Sequence, residues 1–160
     1  MFVGVVRYIQ LDIMDGKFVS GRTWPHHPGD VHFKRIANEE EGMPDWDSID
    51  FEVDLMIAEP EVWVPKWVSA GVRRIIVHVE VMKDFESIRN AVPVGIVELG
   101  LAINTTTSLS ALEPYLDRVD FVQCMGIEKI GFQGQPFDER VISQVRALRA
   151  LRPKLPISID

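Results

Sequence analysis

Runs rich in Val, Ile, Leu and Phe recur at 7–13, 51–57, 74–79, 99–103 and 119–125, and a further one begins at 156–159. Most carry apolar residues on consecutive rather than alternating positions. A strand with that pattern is covered on both faces, which is the situation in parallel sheets. Helical patterns sit between the runs. Segment 61–70 places Trp63 and Trp67 one turn apart and stops at Gly71, with Pro65 expected near its first turn, where a missing N–H costs little. Segment 109–116 follows Thr107 and Ser108, either of which can cap it. Segment 139–151 repeats Val141, Val145 and Leu148 on one face before Pro153. A shorter helix is expected over 31–38, followed by a polar loop at 39–44, while 92–100 fits helix end, loop or extended chain. Parallel strands need long crossovers, and these helices supply them. The expectation is one α/β domain with a parallel sheet.

Composition narrows the function. The 160 residues carry a formal net charge of −7, which argues against binding a phosphate backbone, because such binding needs a clustered positive field. Arg146, Arg149, Arg152 and Lys154 have helical spacing and read as a solvated helix face. Cys124 is the only cysteine, so no intrachain disulfide forms; it sits in an apolar run as a buried, inert thiol. No apolar stretch approaches the ~20 residues of a membrane helix, and the first residues lack the pattern of a signal peptide. These readings predict a cytoplasmic protein without nucleic-acid or membrane partners.

In α/β barrels, catalytic groups come from the carboxyl ends of the strands. Polar residues gather there. The first run leads into Gln10, Asp12, Met14 and Asp15; the second carries Asp54 and Met56; the third ends in His78 and Glu80; the fourth ends at Asn104; the fifth runs through Met125 toward Gly131, Phe132, Gln133, Gly134 and Gln135; the last ends at Asp160. A carboxylate inside an apolar strand is costly unless it is paired or binds a metal. Three of them at one end of neighbouring strands, Asp12, Asp54 and Asp160, favour a site. The glycine loop at 131–135, ahead of a helix, suits an anion. Met14, Met56 and Met125 fit either core filling or an apolar wall beside a substrate. His26, His27 and His32 read as surface histidines, and Trp63 and Trp67 as core or interface aromatics.

Taken together, Leu-Asp-Ile-Met-Asp-Gly (11–16), Val-Asp-Leu-Met-Ile-Ala-Glu-Pro (53–60), Ala-Gly (70–71) and Ile-Val-His-Val-Glu (76–80) resemble the ribulose-phosphate 3-epimerase family. So do Ser-Ala-Leu-Glu-Pro (110–114), Val-Asp-Phe-Val (119–122), Met125, Gly-Phe-Gln-Gly-Gln (131–135), Arg-Ala-Leu-Arg (146–149) and Ile-Ser-Ile-Asp (157–160), with an insertion around 38–48. The resemblance implies a phosphate-binding (β/α) TIM barrel. It also implies inversion of the hydroxyl-bearing carbon next to the ketone of a phosphorylated ketopentose, interconverting ribulose 5-phosphate and xylulose 5-phosphate. Asp12 and Asp160 match the two residues that exchange protons on opposite faces of an enediolate, a divalent metal steadies the oxyanion, the glycine loop holds phosphate and the methionines shield the intermediate.

Departures from the family pattern sharpen the expectations. Gln10 and Asp54 stand where the family places metal-binding histidines, so the implied ligand set is Gln10, Asp12, Asp54 and Asp160. Such an oxygen-rich set prefers Mg²⁺ or Mn²⁺ over the Zn²⁺ or Fe²⁺ of the family, or holds no metal at all without substrate. Gln133 replaces a glycine of the phosphate loop, and His78 with Glu80 supports the site from behind. Against the family, the chain is expected to lack the first and last barrel units, leaving about six strands, two open edges that invite pairing, and an oligomer or separate barrel segments as partners. Two alternatives stand beside the epimerase: an impaired sugar-phosphate-binding or assembly domain, and an epimerase for another ketose phosphate. A related decarboxylase fits less well, because its lysine beside the strand-end aspartates is not found.

Overall fold

The computed structural model describes residues 4–160. Its six strands are β1 (Tyr8–Met14), β2 (Asp50–Met56), β3 (Arg74–His78), β4 (Glu98–Ile103), β5 (Phe121–Cys124) and β6 (Ile157–Ile159). All neighbouring pairs are parallel and the spatial order follows the chain, β1 to β6. Helices α1 (His32–Ala37), α2 (Pro60–Ser69), α3 (Phe85–Ala91) and α4 (Arg140–Leu151) fill four of the crossovers. This is part of a (β/α) barrel, a curled sheet with helices on its outer face.

The pleat sorts the side chains. Val53, Leu55, Ile75, Val77, Leu99, Leu101, Ile103, Val122 and Cys124 point outward and join Val64, Trp67, Ile88, Val141 and Leu148 of the helices in the main core. The alternate positions face inward: Glu52, Asp54 and Met56 on β2, Arg74, Ile76 and His78 on β3, Phe121 and Gln123 on β5. Both faces of the middle strands are buried, which is why their sequences read as nearly continuous apolar runs. Cys124 is buried as expected, and burial pushes its thiol up to about 11.

The helices depart from expectation in three places. Segment 109–116 forms two short 3-10 turns, Leu109–Ala111 and Glu113–Tyr115, instead of one α-helix. Pro114 has no N–H with which to continue the first turn into a second. Ser108 does supply the cap, its Oγ accepting from the Ser110 N–H. Helix α3 was not anticipated; Asp84 caps it by accepting from the Ser87 N–H at 3.1 Å. In α2, Pro65 is the sixth helical residue, deeper than the first turn, and forgoes the bond its N–H would make to Glu61. Segment 92–100 resolves into a turn leading to β4.

Trp67 is fully buried against Phe33 and Trp24, and His26 packs edge-on to Trp63 with a 4.4 Å centroid separation. His26 is therefore half-buried rather than a surface histidine, and burial lowers its pKa. The basic face of α4 is tied down locally: Arg149 donates to the Pro153 and Leu155 carbonyls, and Arg152 pairs with Asp117.

At the amino-terminal end of the strands, the Arg74 guanidinium lies 3.7 Å over the Phe121 ring and pairs with Glu52 and Glu98. A Cβ at Gly100 would overlap that ring, so the absence of a side chain there sets how closely β4 and β5 approach inside the barrel. Gly100→Ala should cost about 1–3 kcal/mol in urea denaturation, because Arg74 leaves the Phe121 ring little room to shift. Adding Phe121→Leu should restore part of the loss.

Candidate active site

A cleft of about 680 Å³ opens at the carboxyl ends of the strands. That volume suits a small ligand. Gln10, Asp12 and Met14 of β1 line it together with Met56 and Met125. Asp160 and the loop residues Gly131, Phe132, Gln133, Gly134 and Gln135 complete the lining. The cleft therefore gathers the two candidate proton-transfer residues, the glycine loop and all three methionines. Asn104, Asp54, His78 and Glu80 lie outside the lining, beneath or beside it.

Local contacts hold the aspartates in place. The Thr23 hydroxyl donates to the Asp12 carbonyl at 2.6 Å and accepts from the Met14 N–H at 2.9 Å, so a loop residue pins the end of β1. Asp15 accepts from Lys17 and Phe18 N–H groups through one oxygen and from the Ala58 N–H through the other. It thereby ties the loop after β1 to the loop after β2. Burial alone would raise its pKa, but these donors prevail and lower it. Neither Thr23 nor Asp15 was identified from sequence as a positioning residue. The Asp-Gly turn at 15–16 was the available signal for the second. Asp160 is placed through its backbone: its N–H donates to the Cys124 carbonyl at 3.2 Å and its carbonyl accepts from the Gly126 N–H at 2.5 Å. Burial and repulsion from Asp12 and Asp54 raise the pKa of Asp160 above the ordinary carboxylate value, while His78 opposes the rise.

Met14, Met56 and Met125 pack with Phe18, Val19, Ile127 and Ile130 in a second apolar cluster. This forms one wall of the cleft. The glycine loop turns through positive φ at Gly131 (82°) and Gly134 (72°), conformations that favour glycine. A Cβ at Gly131 would also meet Val19 at 3.0 Å. Gln133, between them, is exposed. The amino end of α4 does not serve this loop directly: the helix begins at Arg140, and Asp138 already accepts from the Arg140 N–H at 3.0 Å.

Behind the cleft lies a largely buried charged network. His78 and Asp54 are both 0% exposed, and His78 Nε2 lies 3.1 Å from Asp54 Oδ1. The other Asp54 oxygen accepts from Gln123 Nε2 at 2.9 Å. His78 Nδ1 faces Glu80 Oε2 at 3.6 Å. Glu80 Oε1 accepts from the Asn104 N–H at 2.8 Å and the Thr107 hydroxyl at 2.7 Å, which joins the ends of β3 and β4. Phe18 covers the imidazole, its ring centroid 5.2 Å away. Asn104, considered from sequence as a substrate contact, uses its backbone in this network; its carbonyl accepts from Gln144.

Burial works against charge on His78, but Asp54 and then Glu80 outweigh it and raise its pKa to about 9. The same ring and the Asn104 and Thr107 donors lower Glu80 against the effect of its own burial.

The residues implied as a metal set do not converge as one. Gln10 Nε2 donates to Asp12 Oδ1 at 3.1 Å, Asp54 is engaged by His78 and Gln123, and among the described residues no three His, Cys, Asp or Glu side chains form a metal-holding group. No helix among the described residues is long and apolar enough to cross a membrane.

The model of the ribulose-phosphate 3 epimerase family matches residues 3–160. The chain belongs to that family. A ribulose-phosphate 3-epimerase of Aquifex aeolicus is 31% identical over 147 residues, covering 92% of this chain and 61% of the relative. The chloroplastic ribulose-5-phosphate-3-epimerase of Arabidopsis thaliana is 33% identical over 146 residues, covering 90% of the chain and 48% of the relative. A ribulose-phosphate 3-epimerase of Candida glabrata is 29% identical over 159 residues, covering 96% and 64% respectively. The chain thus spans about half to two thirds of the length of these relatives.

The buried imidazole makes a pH signature. Its folded pKa of about 9 lies above the ~6.5 of an unfolded histidine. Its stabilising contribution is complete below about pH 6.5 and is lost as pH rises through about 9. Urea denaturation should therefore show stability falling between these values. His78→Gln should flatten that dependence and cost roughly 3–5 kcal/mol at neutral pH, because Asp54 is left buried without a cation.

Proposed function

We propose that this chain carries the catalytic cleft of a ketose-phosphate 3-epimerase that interconverts ribulose 5-phosphate and xylulose 5-phosphate. The observation that carries this reading is the meeting of Asp12 and Asp160 in one cleft with the methionine wall and the glycine loop. Two carboxyl groups at different strand ends can approach a flat intermediate from opposite sides. One takes the proton from C3, giving an enediolate; the other returns a proton to the opposite face, and proton exchange with solvent resets both carboxyl groups before the next turnover. The scheme needs one group protonated while its partner is not. The raised pKa of Asp160 suits it to the proton-holding role.

The chain's other residues supply binding and shielding. Gly131 and Gly134 leave backbone N–H groups of the loop free of Cβ crowding for the phosphate, with Gln133 and Gln135 as amide donors. Met14, Met56 and Met125 keep water from the planar intermediate, which limits its stray protonation by solvent. Thr23 and Asp15 hold the strand ends to which Asp12 and the β2 loop belong. The metal expected from the resemblance has no converging group of His, Cys, Asp or Glu among the described residues. We further infer that the described chain is a single barrel domain; the unbroken β1 to β6 order supports this.

A second reading, sugar-phosphate binding without turnover, is supported by the commitment of Asp54 to His78. Proton exchange at C3 of ribulose 5-phosphate in deuterated water, with and without Mn²⁺, separates the two. The epimerase reading expects exchange, and it expects Asp12→Asn or Asp160→Asn to slow it by roughly 10²–10⁴-fold with the fold intact by circular dichroism. Binding of the sugar phosphate without exchange under either condition favours the second reading.

A further inference from the structure

We propose that the Asp12–Asp160 cleft of this chain holds no tightly bound divalent metal, because the buried His78 and Gln123 side chains occupy Asp54, the implied ligand from β2. The catalytic part of this inference rests on the epimerase reading; the binding part stands on geometry alone. Both ring nitrogens of His78 face carboxylates, Nε2 toward Asp54 at 3.1 Å and Nδ1 toward Glu80 at 3.6 Å. The ring sits on the inner face of β3, beside the strand that carries Asp54.

Its contact with Asp54 removes that carboxylate as a ligand. Its two oxygens are taken by His78 and by Gln123 Nε2, the residue is 0% exposed, and it does not line the cleft. A metal reaching it would have to displace the Gln123 amide and push aside the buried His78 ring. Gln10 is no substitute, since its amide donates to Asp12 and it is a neutral, exposed ligand. Two carboxylates and water remain, a weak site for any divalent ion. Gln123 also connects this core to β6: its Oε1 lies 3.5 Å from the Ser158 hydroxyl, two residues before Asp160. The network therefore reaches from β2 through β3 and β5 to the strand that carries the second acid/base.

The test uses the 160-residue chain after chelator treatment, titrated with Mn²⁺ followed by electron paramagnetic resonance of the free ion, and with Zn²⁺ in equilibrium dialysis. The wild-type chain should take up far less than one equivalent of either ion when ion and protein are equimolar. Asp54→His removes the ion pair and offers a ring nitrogen near Asp12 and Asp160; Zn²⁺ affinity should rise by more than roughly tenfold. Stoichiometric uptake by the wild type that Asp12→Asn abolishes overturns the proposal. So does a folded Asp54→His chain that binds no better than wild type; if that variant does not fold, the wild-type uptake decides. C3 exchange that survives chelation supports both this proposal and the epimerase reading. Exchange that appears only with added Mn²⁺ overturns the proposal and leaves the epimerase reading intact. No exchange and no uptake overturns the epimerase reading alone.

Discussion

Asp54 sits in the middle of a central strand with no exposed surface, and a carboxylate in that position is tolerable only against a cation and further donors. His78, on the neighbouring strand, is that cation, and Gln123, from β5, is the further donor. Because the three come from strands far apart in sequence, satisfying one charge fixes how β2, β3 and β5 stand around the interior. Glu80 extends the constraint by holding the turn after β4 through Asn104 and Thr107. The floor of the cleft, and so the level at which Asp12 and Asp160 meet, follows from this network.

A second charged layer repeats the logic at the other end of the strands. Arg74 lies between Glu52 and Glu98 with its face on Phe121, and Gly100 leaves the space that the aromatic ring fills. Between the layers the interior is apolar, with Ile76, Ala102 and Phe121 in contact. Outside, the helices cover the other face of the sheet with aliphatic and aromatic side chains. The buried charged side chains Glu52, Asp54 and His78 thus lie on the concave face. Burying ions inside a small barrel contributes little net stability by itself. Its effect is to select one arrangement of strands and to aim the strand ends.

Much of this was legible in the sequence because the signals are local. All six strands were anticipated within a few residues, since a strand buried on both faces must be apolar at successive positions. Helices α2 and α4 were legible from their periodicity and stops. The short helix α3 was not, because seven residues with two apolar anchors, Phe85 and Ile88, give little periodicity; its Asp84 cap was the one local sign. The 109–116 segment had helical apolar spacing but broke into 3-10 turns around Pro114. Among site residues, Asp12, Asp160, the methionines and the glycine loop were recognisable by position at strand ends. Asp54 was recognised as unusual, but its two possible fates, pairing or metal binding, are the same in a one-dimensional reading. Thr23 escaped notice and Asp15 was noted at its strand end without a role, because both act through hydrogen bonds across loops.

The sequence by itself determined the parallel α/β class, the strand order of chemistry-bearing residues and the family, because apolar runs, strand-end carboxylates and ordered motifs depend only on neighbours along the chain. Tertiary structure decided what each polar residue is for. Asp12 and Asp160 face a cleft, whereas Asp54 turns to a histidine 24 residues further on and a glutamine from a third strand. That choice follows from the barrel's curvature and the parallel register, which bring side chains from distant strands within 3.1 Å inside a space that water does not reach.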